Sequence, residues 1–201
     1  MTIRPGQPWG EVVERPAPET AAAAGDDAAA ARLLADRAAA TVLVAAGDLV
    51  RTVGGASSGS TVRRYPVDLL AVVADGRARV ALAHVVVRRR GLLGWWRGPL
   101  RAVMNVGLLG DWDVAPRAHP NDGRLDVVEV DAGMSVGDRW RARPRLPTGT
   151  HIPHPAISIT TRRNVAWRFE SPMHLWIDGV ASGRVRELAV DIRPDAAVVY
   201  V

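Results

Sequence analysis

From residue 60 onward, apolar and polar positions alternate mostly with a period of two, which predicts strands rather than helices. Residues 67–73, the Asp75-Gly76 turn and residues 77–87 read as a hairpin, with Val80, Leu82, His84 and Val86 alternating along its second arm. Residues 100–106, 125–130, 164–169, 174–177, 185–192 and 196–201 read as further strands between turn signals. The helical period is confined to two places. Asp26 and Asp27 precede an alanine-rich run over 28–40 that holds Leu33, Leu34 and Arg37, and acidic residues favour a helix N-terminus. Ser135 can cap a short helix over 135–143 that Pro144 would stop. Short strands at 11–14 and 41–45 flank the first helix, and Ser57-Ser58-Gly59-Ser60 reads as a flexible connection. The expected architecture is therefore mainly β: a two-layer β-sandwich over 56–201, preceded by a small α/β piece over 1–55.

Composition narrows the function. At 201 residues and 48% hydrophobic, the chain can bury one substantial core. No apolar run approaches the roughly 18 residues of a membrane span, and the first ten residues lack the apolar stretch of a signal peptide. With no cysteine there is neither a disulfide framework nor a thiolate zinc site, and a cytoplasmic setting is expected, at most peripheral at the inner membrane surface. All 26 basic residues are arginine, which excludes a P-loop lysine, a Schiff-base lysine and a lysine base. A net charge of +5 suits anionic partners, although solubility alone accounts for it equally well. No serine stands in a Gly-x-Ser-x-Gly elbow, so a hydrolase has no support.

Residues 116–131, PRAHPNDGRLDVVEVD, carry the densest chemistry. A proline-bounded loop runs into Asp122-Gly123 and out into a strand, so Asp122 and Asp126 can converge with loop carbonyls on a hard cation; a plain Asx turn is the alternative. His119 could order the loop before them. This run resembles the C-terminal domain of bacterial diacylglycerol kinase-type lipid kinases, where an Asp-Gly-x-Leu-Asp run opens a strand and holds a structural magnesium ion. His174-Leu-Trp-Ile-Asp178-Gly179 resembles that family's strand ending in Asp-Gly-Glu, and residues 192–201 resemble its closing strand. Ala45-Ala46-Gly47-Asp48, with Leu49, Arg51 and Gly54 in register, is similar to the stretch where the nucleotide domain hands over to the second domain. The resemblance covers about residues 45–201. It implies the lipid-kinase sandwich, with Mg²⁺ as a structural ion at Asp122 and Asp126.

Departures from the family pattern matter as much. The family's Gly-Gly-Asp-Gly-Thr loop does not occur in the sequence, and Val180 stands where the Asp-Gly-Glu motif has its glutamate. If that glutamate is the base, an apolar side chain cannot replace it. Asp178 is the remaining catalytic candidate, and a residue of a tight turn is its simpler reading. Gly47, Asp48 and Arg51 could meet a phosphate through backbone N–H groups and the guanidinium, but no second glycine-rich loop accompanies them, so ATP binding is not expected.

Residues 88–101 interleave Arg88, Arg89, Arg90, Arg97 and Arg101 with Leu92, Leu93, Trp95 and Trp96. Such a loop suits an anionic lipid surface. Single-stranded nucleic acid would meet the same residues by stacking, but is not the expected partner. Tryptophans folded back on the sandwich, or pairing two copies of the chain, are the plainer readings. Arg139, Arg141, Arg143 and Arg145 around Trp140 read as a solvated helix face, and His151 and His154, separated by Pro153, as turn histidines. Together these observations predict a catalytically silent lipid-kinase relative that binds a lipid or a partner. Two alternatives stand beside it: a component active as an ATP-dependent lipid kinase only with a separate nucleotide-binding partner, and a homodimer formed through Trp95 and Trp96.

Overall fold

The computed structural model describes residues 9–35, 40–91 and 93–201. In chain order the elements are β1 (Glu11–Glu14), β2 (Ala22–Ala24), α1 (Asp27–Ala35), β3 (Thr41–Val44), α2 (Asp48–Thr52), β4 (Thr61–Ala74), β5 (Arg77–Ala81) and β6 (His84–Arg88). They continue with α3 (Leu93–Trp96), β7 (Leu100–Met104), β8 (Leu108–Leu109), β9 (Trp112–Asp113), β10 (Leu125–Val130) and α4 (Val136–Ala142). A 3₁₀ segment (Arg143–Thr148), β11 (Ile157–Arg162), β12 (Asn164–Ile177) and β13 (Val180–Tyr200) complete the chain.

The fold is mainly β and of the sandwich type, as the alternation predicts. Among the described residues, eleven strands form one hydrogen-bonded sheet whose main path runs β1-β4-β13-β12-β6-β7-β10-β11. β13 is its spine. It pairs antiparallel with β4 and β12 and parallel with β3. Through that parallel pairing, β2, α1 and β3 join the same sheet, and Leu34, Val42 and Val44 pack in one buried cluster with Val67 of β4 and Val199 of β13. The segment before residue 56 is thus continuous with the sandwich core.

Several expected boundaries move. The helix expected over 28–40 begins at Asp27 and is described to Ala35; residues 36–39, with Arg37, lie outside the described residues, as do Leu92 and residues 1–8. The helix expected over 135–143 is α4 and ends at Ala142, but the chain continues past Pro144 as a 3₁₀ segment, whose first turn accepts proline. The strands expected at 164–169 and 174–177 are one strand with a register shift between Arg168 and Met173, where Pro172 withholds its ladder N–H. Those at 185–192 and 196–201 are likewise one, shifted between Arg193 and Ala197 around Pro194. The opposite holds for 77–87, which divides into β5 and β6 at Leu82 and Ala83.

Candidate functional site

Two places concentrate polar or cavity-forming residues. The first lies where the β3–α2 turn, the β5–β6 break and the β12–β13 turn meet. Asp178 and Gly179 take positive φ values of 47° and 78° between β12 and β13, as a two-residue hairpin turn requires. The Asp178 side chain nevertheless points inward, at 9% exposure. Its carboxylate accepts the N–H groups of Leu82, Ala83 and His84 at 2.8, 2.8 and 2.9 Å. These donors would otherwise be orphaned at the strand break. Asp178 is therefore what divides β5 from β6. Burial raises its pKa against the opposing pull of His84 and the three N–H groups.

Asp27 plays a matching part on the other side. One of its oxygens accepts the N–H of Asp48 at 2.6 Å and of Leu49 at 3.2 Å, at the start of α2. Gly47 has a φ of 127°, and a Cβ there would strike the Asp27 carboxylate, so only glycine allows this approach. At 5% exposure, burial lifts the Asp27 pKa to about 7, with the charges of Asp178 and Asp48 adding to the rise. Asp48 goes the other way. Burial alone would raise it, but His84 Nε2 at 3.0 Å, the Gly110 N–H and the Arg51 guanidinium hold it below the usual value. Arg51 reaches the Gly110 carbonyl and the Asp111 carboxylate.

The groups expected to meet a phosphate, Gly47, Asp48 and Arg51, are thus brought together but already engaged within the chain. A carboxylate of Asp27 takes the N–H groups that a phosphate would need. Asp48 and Asp178 lie around one histidine, each consumed in hydrogen bonds, and Val180 beyond them is 46% exposed with no proton-accepting atom. Asp27 and His84 were missed in the sequence because both sit in ordinary patterns, a helix start and a strand face.

The Asp122 loop is ordered by residues of the chain. Asp68, fully buried in β4, accepts the Gly123 N–H at 2.7 Å and the Asp195 N–H at 2.8 Å, and its own N–H reaches the Pro120 carbonyl at 2.7 Å. Burial raises Asp68 to about 6. Asp122 accepts the Arg124 N–H at 2.9 Å in an Asx turn, and Asp126, buried on β10, accepts the Thr161 hydroxyl at 2.6 Å. Burial raises the Asp122 pKa, and the nearby Asp126 charge adds to it. The pair supplies two carboxylates of the right donor chemistry for a hard cation, and the rest of such an ion's shell would have to come from loop carbonyls and water. Among the described residues no third histidine, cysteine or carboxylate side chain completes a metal-binding group. His119 does order the loop, accepting the Asn121 N–H at 3.2 Å with its ring against Trp9.

The second place is a cavity of about 310 Å³ between the β7–β10–β11 face and a cover made of α3, α4 and the 3₁₀ segment. Leu100, Ala102, Val128, Val130 and Ile157 form its floor, and Trp95, Trp96, Met134, Ala142 and Leu146 its cover. Arg139 holds the cover together and departs from the solvated helix face expected for it. It is not solvated but 7% exposed, and its guanidinium donates to the carbonyls of Trp95, Gly98, Asp131 and Met134. Four carbonyls from two stretches, 95–98 and 131–134, converge on one planar cation, which lysine could not match. Arg88 is also internal to the loop, stacked between Trp95 at 4.6 Å and Trp176 at 4.1 Å and donating to the Arg89 and Gly91 carbonyls. Trp95 packs edge-on against Trp112, a residue the sequence reading passed over. Trp96 faces Trp140 across 5.8 Å, and the Arg143 guanidinium lies over it. Arg89, Arg90 and Arg97 are exposed. His151 is buried on the cavity wall beside Asp113, and burial lowers its pKa; His154 accepts the Ala156 N–H in a turn.

A model of the YegS C-terminal NAD kinase beta sandwich-like domain matches residues 23–201. The chain belongs to this family. Its members' match begins 22 residues earlier than the resemblance drawn at residue 45, taking in β2, α1 and β3. Solved structures agree on the fold. A diacylglycerol kinase from Bacillus anthracis str. Sterne is similar with a TM-score of 0.54 and 14% identity, covering 79% of this chain and 66% of that one. A candidate diacylglycerol kinase from the same strain is similar with a TM-score of 0.58 and 12% identity, covering 79% and 69% of the two chains. The chain therefore spans about two thirds of the length of these structures. No curated protein matches.

Proposed function

We propose that this YegS C-terminal-type domain is a catalytically silent lipid binder that takes an acyl chain into the cavity under α3 and α4. The observation that carries the reading is the cavity itself: about 310 Å³, floored by aliphatic side chains and covered by two tryptophans. That volume stands at the lower end of the roughly 300–1,000 Å³ usual for small-molecule pockets, which suits one alkyl chain better than a bulky ligand. Each CH₂ buried there contributes about 0.8 kcal/mol. Silence is supported by Val180 after Asp178-Gly179 and by the engagement of Asp27, Asp48 and Asp178 in backbone hydrogen bonds. A phosphoryl transfer needs a free base and a phosphate cradle, and these carboxylates and the N–H groups they hold are not open to either role.

The test has two arms. The purified chain should bind a fluorescent fatty-acyl probe, and Ala102→Trp, which fills the cavity floor, should abolish that binding while the thermal transition persists. With ATP, Mg²⁺ and diacylglycerol, no phosphate should be transferred. Transfer above the rate without protein, or probe binding unchanged in Ala102→Trp, would overturn the reading. The gathering of Asp48, Asp178 and His84 favours one second reading, a kinase component completed by a separate nucleotide-binding chain; activity that appears only on mixing the two chains would select it.

A further inference from the structure

The cavity's cover has an outer face, and that face has the chemistry of a membrane contact. Trp140 is 64% exposed on α4, and Val136, one turn earlier on the same helix face, is 42% exposed. Trp140 is not isolated. Its ring packs on Trp96, which also lines the cavity, so an exposed aromatic surface continues into an enclosed one. Arg143 is exposed and lines the cavity as well, beside the half-buried Trp96 and Leu146, so the cavity wall reaches the surface on this side. The stretches 88–101 and 134–149 hold nine arginines and one acidic residue, Asp138; Arg101 is paired with Glu129 and Arg141 with Asp138. Arg88 and Arg139 are internal clasps. Arg89, Arg90, Arg97, Arg141, Arg143 and Arg145 face outward.

We infer that this rim, with Trp140 as its anchor, docks on an anionic bilayer surface, so that the cavity opens against the lipid. The inference rests on the lipid-binding reading above and adds where and on what the protein binds. Tryptophan favours the headgroup boundary and arginine meets anionic lipid there, and stable peripheral binding takes both an apolar and a basic signal. A solvated helix face explains arginines but not an indole and a valine left side by side in water. The Arg143 guanidinium over Trp96, and Trp96 against Trp140, put a cation beside the exposed indole at the cavity wall. An acyl chain passing from bilayer to cavity would then cross no aqueous gap.

Sedimentation with phosphatidylcholine vesicles, with and without about one third phosphatidylserine, tests this. The wild-type chain should bind the anionic vesicles and not the neutral ones. Trp140→Ala should lower the partition coefficient roughly tenfold, from lost apolar burial. Arg97→Gln, Arg141→Gln and Arg145→Gln together should lower it about 100-fold, each charge near the surface being worth about a factor of five. All four positions lie outside the cavity wall, so uptake of the soluble acyl probe should be unchanged in these variants. The outcomes separate the two claims. Vesicle binding retained in both rim variants overturns the docking rim even if the probe still loads. Rim-dependent vesicle binding with no probe uptake supports the rim and refutes the cavity reading. Binding of a single-stranded oligonucleotide in preference to anionic vesicles overturns the membrane assignment.

Discussion

Replacing Asp27 by asparagine should stabilise the protein at neutral pH and leave it unchanged in acid. Asp27 is 5% exposed; one oxygen accepts two N–H groups of α2, and the other, against Gly47, makes no hydrogen bond. Burial, then the charges of Asp178 and Asp48, move its pKa from 3.8 to about 7. Between those two values the folded chain holds a proton that the unfolded chain has released, so stability falls as pH rises through that window. Three units at about 1.4 kcal/mol each make the full loss about 4 kcal/mol above pH 7. Asparagine has the shape of the neutral acid, still accepts both N–H groups, and cannot ionise. Guanidinium midpoints measured from pH 4 to 8.5 should coincide at the acid end and separate steadily. At pH 8 the variant should lead by up to about 4 kcal/mol, or roughly 10 °C in Tm for a chain of this size. Parallel pH profiles, or a less stable variant at pH 8, would refute the assignment of a strained carboxylate to Asp27.

Three further outcomes follow from the geometry. Alkyl ligands that differ by two methylenes should differ about fifteenfold in affinity until the cavity is full and then level off, as calorimetric titration of a homologous series would report. Asp178→Ala orphans the N–H groups of Leu82, Ala83 and His84 and should cost about 3–5 kcal/mol by chemical denaturation; a loss under about 1 kcal/mol would deny the carboxylate its role at the strand break. Millimolar Mg²⁺ should leave Tm within about a degree in the wild type and in Asp126→Asn alike. A rise that Asp126→Asn removes would mean that backbone carbonyls and water complete a shell around Asp122 and Asp126.

Strands were legible where local pattern and pairing agree. β10 occupies residues 125–130 as read, because Asp122-Gly123 sets its start and Val127 and Val128 are buried. The long strands were cut at Pro172 and Pro194, since a proline demotes a strand locally, whereas a sheet absorbs it with a register shift. β11 was overlooked although Ile157, Ile159 and the threonines after them carry the alternation. What local pattern cannot hold is long-range clasping. Nothing near Leu82 announces that Asp178 ends the strand there, and nothing near Arg139 shows that carbonyls of Trp95 and Gly98 await it. The candidate site was legible in part: Trp95 and Trp96 line the cavity, but Trp112, Met134 and Leu146 reach it from separate stretches.

The parallel ladder between β3 and β13 sets an order of events during folding. It joins Thr41 to Val198, residues from distant parts of the chain. Neighbouring arms such as β4 with β5 can pair as soon as both are made, whereas β3 and the Val67 end of β4 wait with open edges for β13. Closing so long a loop is slow, and an unpaired edge meanwhile invites self-association. Newly made chains should therefore depend on chaperones until β13 docks, and expression at low temperature should raise the soluble yield.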